Sequence, residues 1–245
     1  MKKVFLLSLA AVGMLAVSCK KGPLKPNKIE GTTWNVSSIE SSRTEDDGTT
    51  ETTWTTSFDG TTYEQETSET TGSTTTTTTT TREYSKYEYV FGEEGALTIN
   101  QVYTQTDEQV IDGVGTYTTT TEVTSTSTGY WNTGNKYNEG NYLENERLVV
   151  DITMTESESD TEDKFTPAGG GNGTTSTSSS SSSQTYPDGS NVMLLTVTAF
   201  DKESMTAEMD MSESSSYTQT SGGTSTTTSN EITGSGTWMF SKAGE

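Results

Sequence analysis

The chain carries 35 Asp and Glu residues and no histidine, and this bounds the chemistry open to it. Two carboxyl groups can serve as general acid and nucleophile in sugar hydrolysis without an imidazole, but nothing in the spacing singles out a pair. The densest run is Glu156, Glu158, Asp160, Glu162 and Asp163, whose first four members fall on one side of an extended chain. It lacks the glycine and closing glutamate of a calcium loop, so it reads as a solvated charge run, and Glu45-Asp46-Asp47-Gly48 reads as a turn. Gly-x-Ser-x-Gly elbows, phosphate loops and dinucleotide fingerprints do not occur. Without histidine, and with Cys19 as the single cysteine, imidazole bases, disulfides and the usual zinc ligand sets are excluded. The expectation is a chain that is not an enzyme, with no catalytic residue, no metal site and no cofactor. Trp34, Trp54, Trp131 and Trp238 can stack on sugar rings or line a cavity, although packing in a core is the commoner use of such residues. Met205, Met209 and Met211 read the same way, as an adaptable wall or as core.

Cys19 has a different context. Lys2 and Lys3 precede a fourteen-residue apolar run, Val4 to Val17, broken only by Ser8 and Gly13. A membrane-spanning helix needs about 20 such residues, so this run has the length of an export signal. It ends in Ala16-Val17-Ser18 directly before the cysteine, and these residues resemble the bacterial lipobox. The resemblance implies cleavage after residue 18 and a lipid on Cys19, with the membrane as partner through that anchor. Lys20, Lys21, Lys25 and Lys28, spaced by Gly22, Pro23 and Pro26, then read as a flexible basic tether over 19–28, able to lie on anionic headgroups.

Composition pulls in two directions. The apolar share is 27%, against roughly 45–50% in ordinary globular chains, which points toward disorder. Yet the aromatic residues cluster in short runs with β-branched neighbours, between tracts of Thr, Ser and Gly. Threonine and serine supply 85 residues, and threonine, polar yet β-branched, suits the wet face of a sheet. A formal charge of −21, with only eight Lys and Arg after Lys28, argues against nucleic acid as a partner.

The elements these patterns predict are strands. Trp34, Val36 and Ser38 share one face; Trp54, Thr56 and Phe58 share another, followed by an Asp59-Gly60 turn. Tyr87, Tyr89 and Phe91 alternate with polar neighbours, and the chain turns at Gly92–Gly95 and returns through Leu97 and Ile99. Leu148, Val150, Ile152 and Met154 alternate, as do Met205, Ala207, Met209 and Met211. Trp238 and Phe240 share the face of a last strand. Residues near 67–83, 156–191 and 214–230 read from composition as disordered insertions. The fold class expected is all-β: an antiparallel up-and-down meander of about eight or more strands, closing into a barrel to bury its edges, with long Ser/Thr/Gly-rich loops. One such domain would fill residues 29–245.

The segments Ile29-Glu30-Gly31-Thr32-Thr33-Trp34-Asn35-Val36, Phe58-Asp59-Gly60-Thr61, Gly134-Asn135-Lys136 and Gly236-Thr237-Trp238-Met239-Phe240 resemble the lipocalin-like lipoproteins of the Bacteroidetes. The resemblance implies a lipocalin-like barrel anchored at the outer membrane, with a small apolar or glycan-derived molecule as ligand. Lys20-Lys21 in place of acidic residues after the cysteine implies the periplasmic face rather than the cell surface. A structural or envelope-interaction protein with a filled core and a hydrophilic Thr/Ser surface stands beside it as the alternative.

Overall fold

The computed structural model describes residues 26–244 except 112, 139, 140, 222 and 223, so the expectations for the export signal, Cys19 and most of the tether lie outside the described residues. A one-turn helix α1 (Pro26–Ile29) leads into β1 (Thr32–Asp46), β2 (Thr50–Phe58), β3 (Thr62–Thr71), β4 (Thr74–Phe91), β5 (Ala96–Ile111), β6 (Gly115–Asn138), β7 (Asn141–Pro167), β8 (Thr174–Thr185), β9 (Val192–Phe200), β10 (Ser204–Asp210), β11 (Glu213–Ser221) and β12 (Thr224–Lys242). All pairings are antiparallel, and β12 returns to β1 so that the sheet closes into a ring. The expected up-and-down barrel is therefore the fold.

Three of the turns use the same device. Asp47 Oδ1 accepts the backbone N–H groups of Thr49 and Thr50, Asp59 Oδ1 those of Thr61 and Thr62, and Asp201 Oδ1 those of Glu203 and Ser204, all at 2.7–2.9 Å. An ionised carboxylate that accepts two amide protons prefers to stay ionised. The amide of Thr62 first, then that of Thr61, holds the Asp59 carboxyl below the usual range, and Asp47 and Asp201 are lowered for the same reason.

The barrel differs in plan between its two ends. At the base, Thr32–Asn35 of β1 pair directly with Glu88–Phe91 of β4, because the β2–β3 hairpin is too short to reach down between them. The base ring thus runs β1-β4-β5-β6-β7-β9-β10-β12. Higher up, β2 and β3 enter the wall, β8 continues the line of β9 along β7, and β11 continues the line of β10 along β12. Pairing of β4 with β5 stops at Arg82–Gln105, and among the described residues β8 and β11 do not pair with each other. Two upper sheets result, β11-β12-β1-β2-β3-β4 and β5-β6-β7-β8, parted by two seams.

The core fills the base. Trp34, Phe91, Leu148, Val150, Leu195 and Ala207 are fully buried, and Phe58, Tyr89, Met205 and Phe240 nearly so. Ile29 is also fully buried, so the chain enters at the base and plugs it. The Trp34 indole N–H donates to Thr32 Oγ1 at 2.8 Å, and that of Trp131 to the Gly92 carbonyl at 3.1 Å, which satisfies both buried donors. Trp34 stands opposite Lys242 in the closing pair of β1 and β12.

The segments read from composition as disordered insertions are corrected by the structure. Residues 67–83 run through β3 and β4, 156–191 through the end of β7 and all of β8 with turns at 168–173 and 186–191, and 214–230 through β11 and β12. Low apolar content misled because a strand needs an apolar face only where that face meets the core, whereas its backbone needs a partner everywhere. The partners are other Thr and Ser strands: Thr50 and Thr71, Thr70 and Thr75, and Thr121 and Thr161 bond through their hydroxyls at 3.0–3.2 Å across the ladder. A second departure concerns Met154. The register shifts opposite Thr128 and Gly129, so Leu148, Val150 and Ile152 keep the inward alternation but Met154 pairs with Thr128 on the other face. Gly129 is required there, since a Cβ would lie 1.9 Å from the Asp151 carbonyl oxygen.

Candidate ligand site at the fork of the barrel

In an antiparallel ladder, residues directly opposite one another share a face. Following this rule from the buried Phe58 gives Tyr63 on β3, Arg82 on β4 and Gln105 on β5 in one inward row. Tyr84 and Tyr103 form the row beneath. A bulge at Ser85 lets β4 place both Tyr84 and Tyr87 inward, and below them Tyr89 and Phe91 continue the file to Trp131. The aromatic file therefore climbs out of the core and ends, half-buried, where the two upper sheets part.

Arg82 sits at that fork. Its guanidinium carbon lies 5.1 Å from the Tyr103 ring centre and 5.5 Å from that of Tyr63, and its Nε donates to Gln105 Oε1 at 3.2 Å. Gln105 Nε2 in turn donates to Asp107 Oδ2 at 3.1 Å, so a cation, an amide and a carboxylate are linked along one face. Tyr84 packs on Tyr103 at 4.9 Å and on Phe58 at 5.4 Å; burial, then the neighbouring Tyr87, push its phenol up to about 12. Burial likewise pushes Tyr89 up to about 12 and Tyr87 well above the ordinary value, so these three phenols are neutral at any physiological pH. Further round the same sheet, Arg43 of β1 lies 5.1 Å over Trp54 of β2 and its Nη2 reaches Glu45 at 3.1 Å.

Of the residues singled out in the sequence, Trp34, Trp131 and Trp238 belong to the core, and Trp54 alone among the tryptophans is half-buried on the wall above it. Met205 is buried and Met209 packs against the core, while Met211 lies beyond the end of β10. Glu156, Glu158, Asp160 and Glu162 do share one face of β7, the outer one, where with Thr and Ser of β6 and β8 they border shallow grooves of about 430 and 470 Å³. Asp163 is on the opposite face, accepting a bond from Thr119 at 2.6 Å. Among the described residues no three acidic side chains converge as a metal site would require. Tyr63, Arg82, Tyr84, Tyr103, Gln105 and Asp107 were not read from the sequence. The available signal was the two-residue spacing of Arg82 with Tyr84, and of Tyr103, Gln105 and Asp107, which puts each set on one strand face.

No protein-family model matches the chain, and no curated protein matches it. Among solved structures, one described as a porin-like protein from Bacteroides uniformis aligns over 88% of this chain and 99% of its own, at 12% identity and a TM-score of 0.22. A likeness of that size carries no argument about function, which rests on the residues at the fork.

Proposed function

We propose that this protein is a lipid-anchored, non-catalytic binding module of the bacterial envelope that holds a small glycan-derived ligand at the fork of its barrel. The observation that carries the reading is the contrast between base and fork: the base is filled by its own side chains, whereas the fork offers half-buried aromatic rings beside an Arg, a Gln and an Asp. A filled base leaves no room there for an apolar guest, and a polar floor with ring faces suits an amphipathic one. Anchoring through Cys19 follows from the lipobox resemblance, and two or more acyl chains hold a protein durably where one does not. Because α1 enters at the base, such an anchor directs the base toward the membrane and the fork away from it. We place the protein at the outer membrane, on its periplasmic face.

Two measurements test this reading. Cys19→Ser should move the protein from the membrane to the soluble fraction; membrane retention of the variant would refute the anchor. Native mass spectrometry of freshly purified protein should show a retained small molecule, and an unliganded protein that also binds nothing from envelope extracts would refute the binding role. One observation favours the alternative of a structural envelope protein: β8 is exposed along its whole length and, among the described residues, pairs on one side only. Loss of envelope association on removal of 174–185, with ligand binding kept, would support that alternative.

A further inference from the structure

We propose that the ligand at the fork is a neutral oligosaccharide, gripped by Arg82, Gln105 and Asp107 along its hydroxyl edge and by the Tyr103 ring on its C–H face. The proposal deepens the binding-module reading above and rests on it.

A sugar ring makes two demands at once. Its hydroxyls each donate and accept, so adjacent pairs are best met by a fixed donor beside a fixed acceptor, and its axial C–H groups form an apolar patch that an aromatic face covers. The fork supplies both. The guanidinium lies over the rings of Tyr63 on β3 and Tyr103 on β5, its Nε is committed to Gln105, and it makes a further bond to the Tyr84 phenol. An Arg has five N–H donors, so others remain for a guest. Gln105 then fixes one oxygen of Asp107, leaving the carboxylate oriented as an acceptor two residues along the same face. A purely structural arginine at the end of a ladder would be expected to pair with a carboxylate directly; here an amide stands between cation and anion and keeps them apart, as a hydroxyl pair would need.

The charge balance selects a neutral guest. Asp107 offsets Arg82, and Glu45 offsets Arg43 at 3.1 Å, so the two inward arginines create no net positive field. Asp163 on the inward face of β7 and the formal charge of −21 add to the repulsion of anions. The walls rising from the fork favour an oligomer over a single sugar, because Thr67 and Thr78 on one upper sheet and Thr121 and Thr161 on the other carry hydroxyls along the inward face.

The test is isothermal titration of the full mature chain, purified in detergent, with neutral hexasaccharides of several linkages (gluco-, xylo- and manno-oligosaccharides) and with oligogalacturonate as the acidic counterpart. At least one neutral series should bind, and the uronate should bind at least tenfold more weakly. Tyr103→Ala and Asp107→Asn should each weaken the neutral ligand by about tenfold or more, the cost of an unmet polar group or lost stacking. Thr104→Ala, on the outer face of the same strand, should leave affinity unchanged, and circular dichroism confirms that each variant folds. Equal or tighter uronate binding would overturn the neutral class while leaving a sugar site. Retention of an apolar molecule with no saccharide binding would overturn the saccharide proposal but not the binding module. Absence of any ligand by titration and mass spectrometry would overturn both, and unchanged affinity in folded Tyr103→Ala and Asp107→Asn would remove the site from the fork.

Discussion

Phe58→Ala tests whether the Thr-rich β2–β3 hairpin is tied to the core. Phe58 is 2% exposed, closes β2, and pairs with Ile39 on one side and Tyr63 on the other. Its ring meets Tyr84 at 5.4 Å and Tyr87 at 5.8 Å. Truncating a buried Phe costs about 3–5 kcal/mol, a figure that includes the cavity left behind. The two aromatic contacts, worth about 0.5–1.5 kcal/mol each beyond area, place this site toward the upper end. With a urea slope of about 3 kcal/mol per M for a domain of this size, the unfolding midpoint should fall by roughly 1–1.7 M. The assay is urea denaturation followed by tryptophan fluorescence, since Trp34, Trp131 and Trp238 all report on the base. Thr55→Ala, exposed on the outer face of the same strand, serves as control and should change stability by under about 0.5 kcal/mol. A loss below about 1 kcal/mol for Phe58→Ala would refute the packing described for the hairpin and, with it, the placement of Tyr63 and Tyr84 at the fork.

Gly60→Ala should cost about 1–3 kcal/mol in the same assay, because Gly60 has φ +99° and a Cβ there would meet the Ser37 carbonyl oxygen at 3.1 Å. Gly72→Ala, at φ +60° with open space around it, should cost less, and equal losses would contradict the close approach of the hairpin tip to β1. The phenols of Tyr84 and Tyr89, raised to about 12, stabilise the fold fully below the ordinary tyrosine value near 10, and this contribution is lost as pH rises through about 12. Stability measured from pH 9 to 12 should therefore fall as the base loosens; a flat profile would contradict the burial of the file. Hydrogen exchange should show alternate amides of Thr74–Thr81 protected, since β4 there pairs with β3 on one side only. Uniform fast exchange across the tract would mean that it is not a strand.

Where an alternating apolar face met a core, the sequence announced it. Tyr87, Tyr89 and Phe91 against Leu97 and Ile99, and Met205 and Ala207 near Trp238 and Phe240, lie as their alternation predicts. Period two assigns a face but does not name the neighbour across the ladder. The fork joins residues 63, 82, 103 and 105 from three strands, and no local pattern predicts that pairing. Nor does it predict that β4 and β5 separate just above it, since both strands run on past Arg82 and Gln105, β4 against β3 and β5 against β6.

The threonine strands pose a sharper problem, because a run of identical residues offers no preferred register of its own. Sliding Thr74–Thr81 along β3 by one residue would cost its side chains little, yet it would turn Arg82 and Tyr84 to the outer face. The register must therefore be set at the ends of the run. At one end stand the Asp59 turn and the inward Phe58–Tyr63 pair, with Tyr84 packed on Phe58. At the other, Gly72 at φ +60° closes the tight turn from Thr71 to Thr74. The low-complexity ladder thus inherits its alignment from the aromatic residues below it, and the same residues fix where the arginine of the fork points.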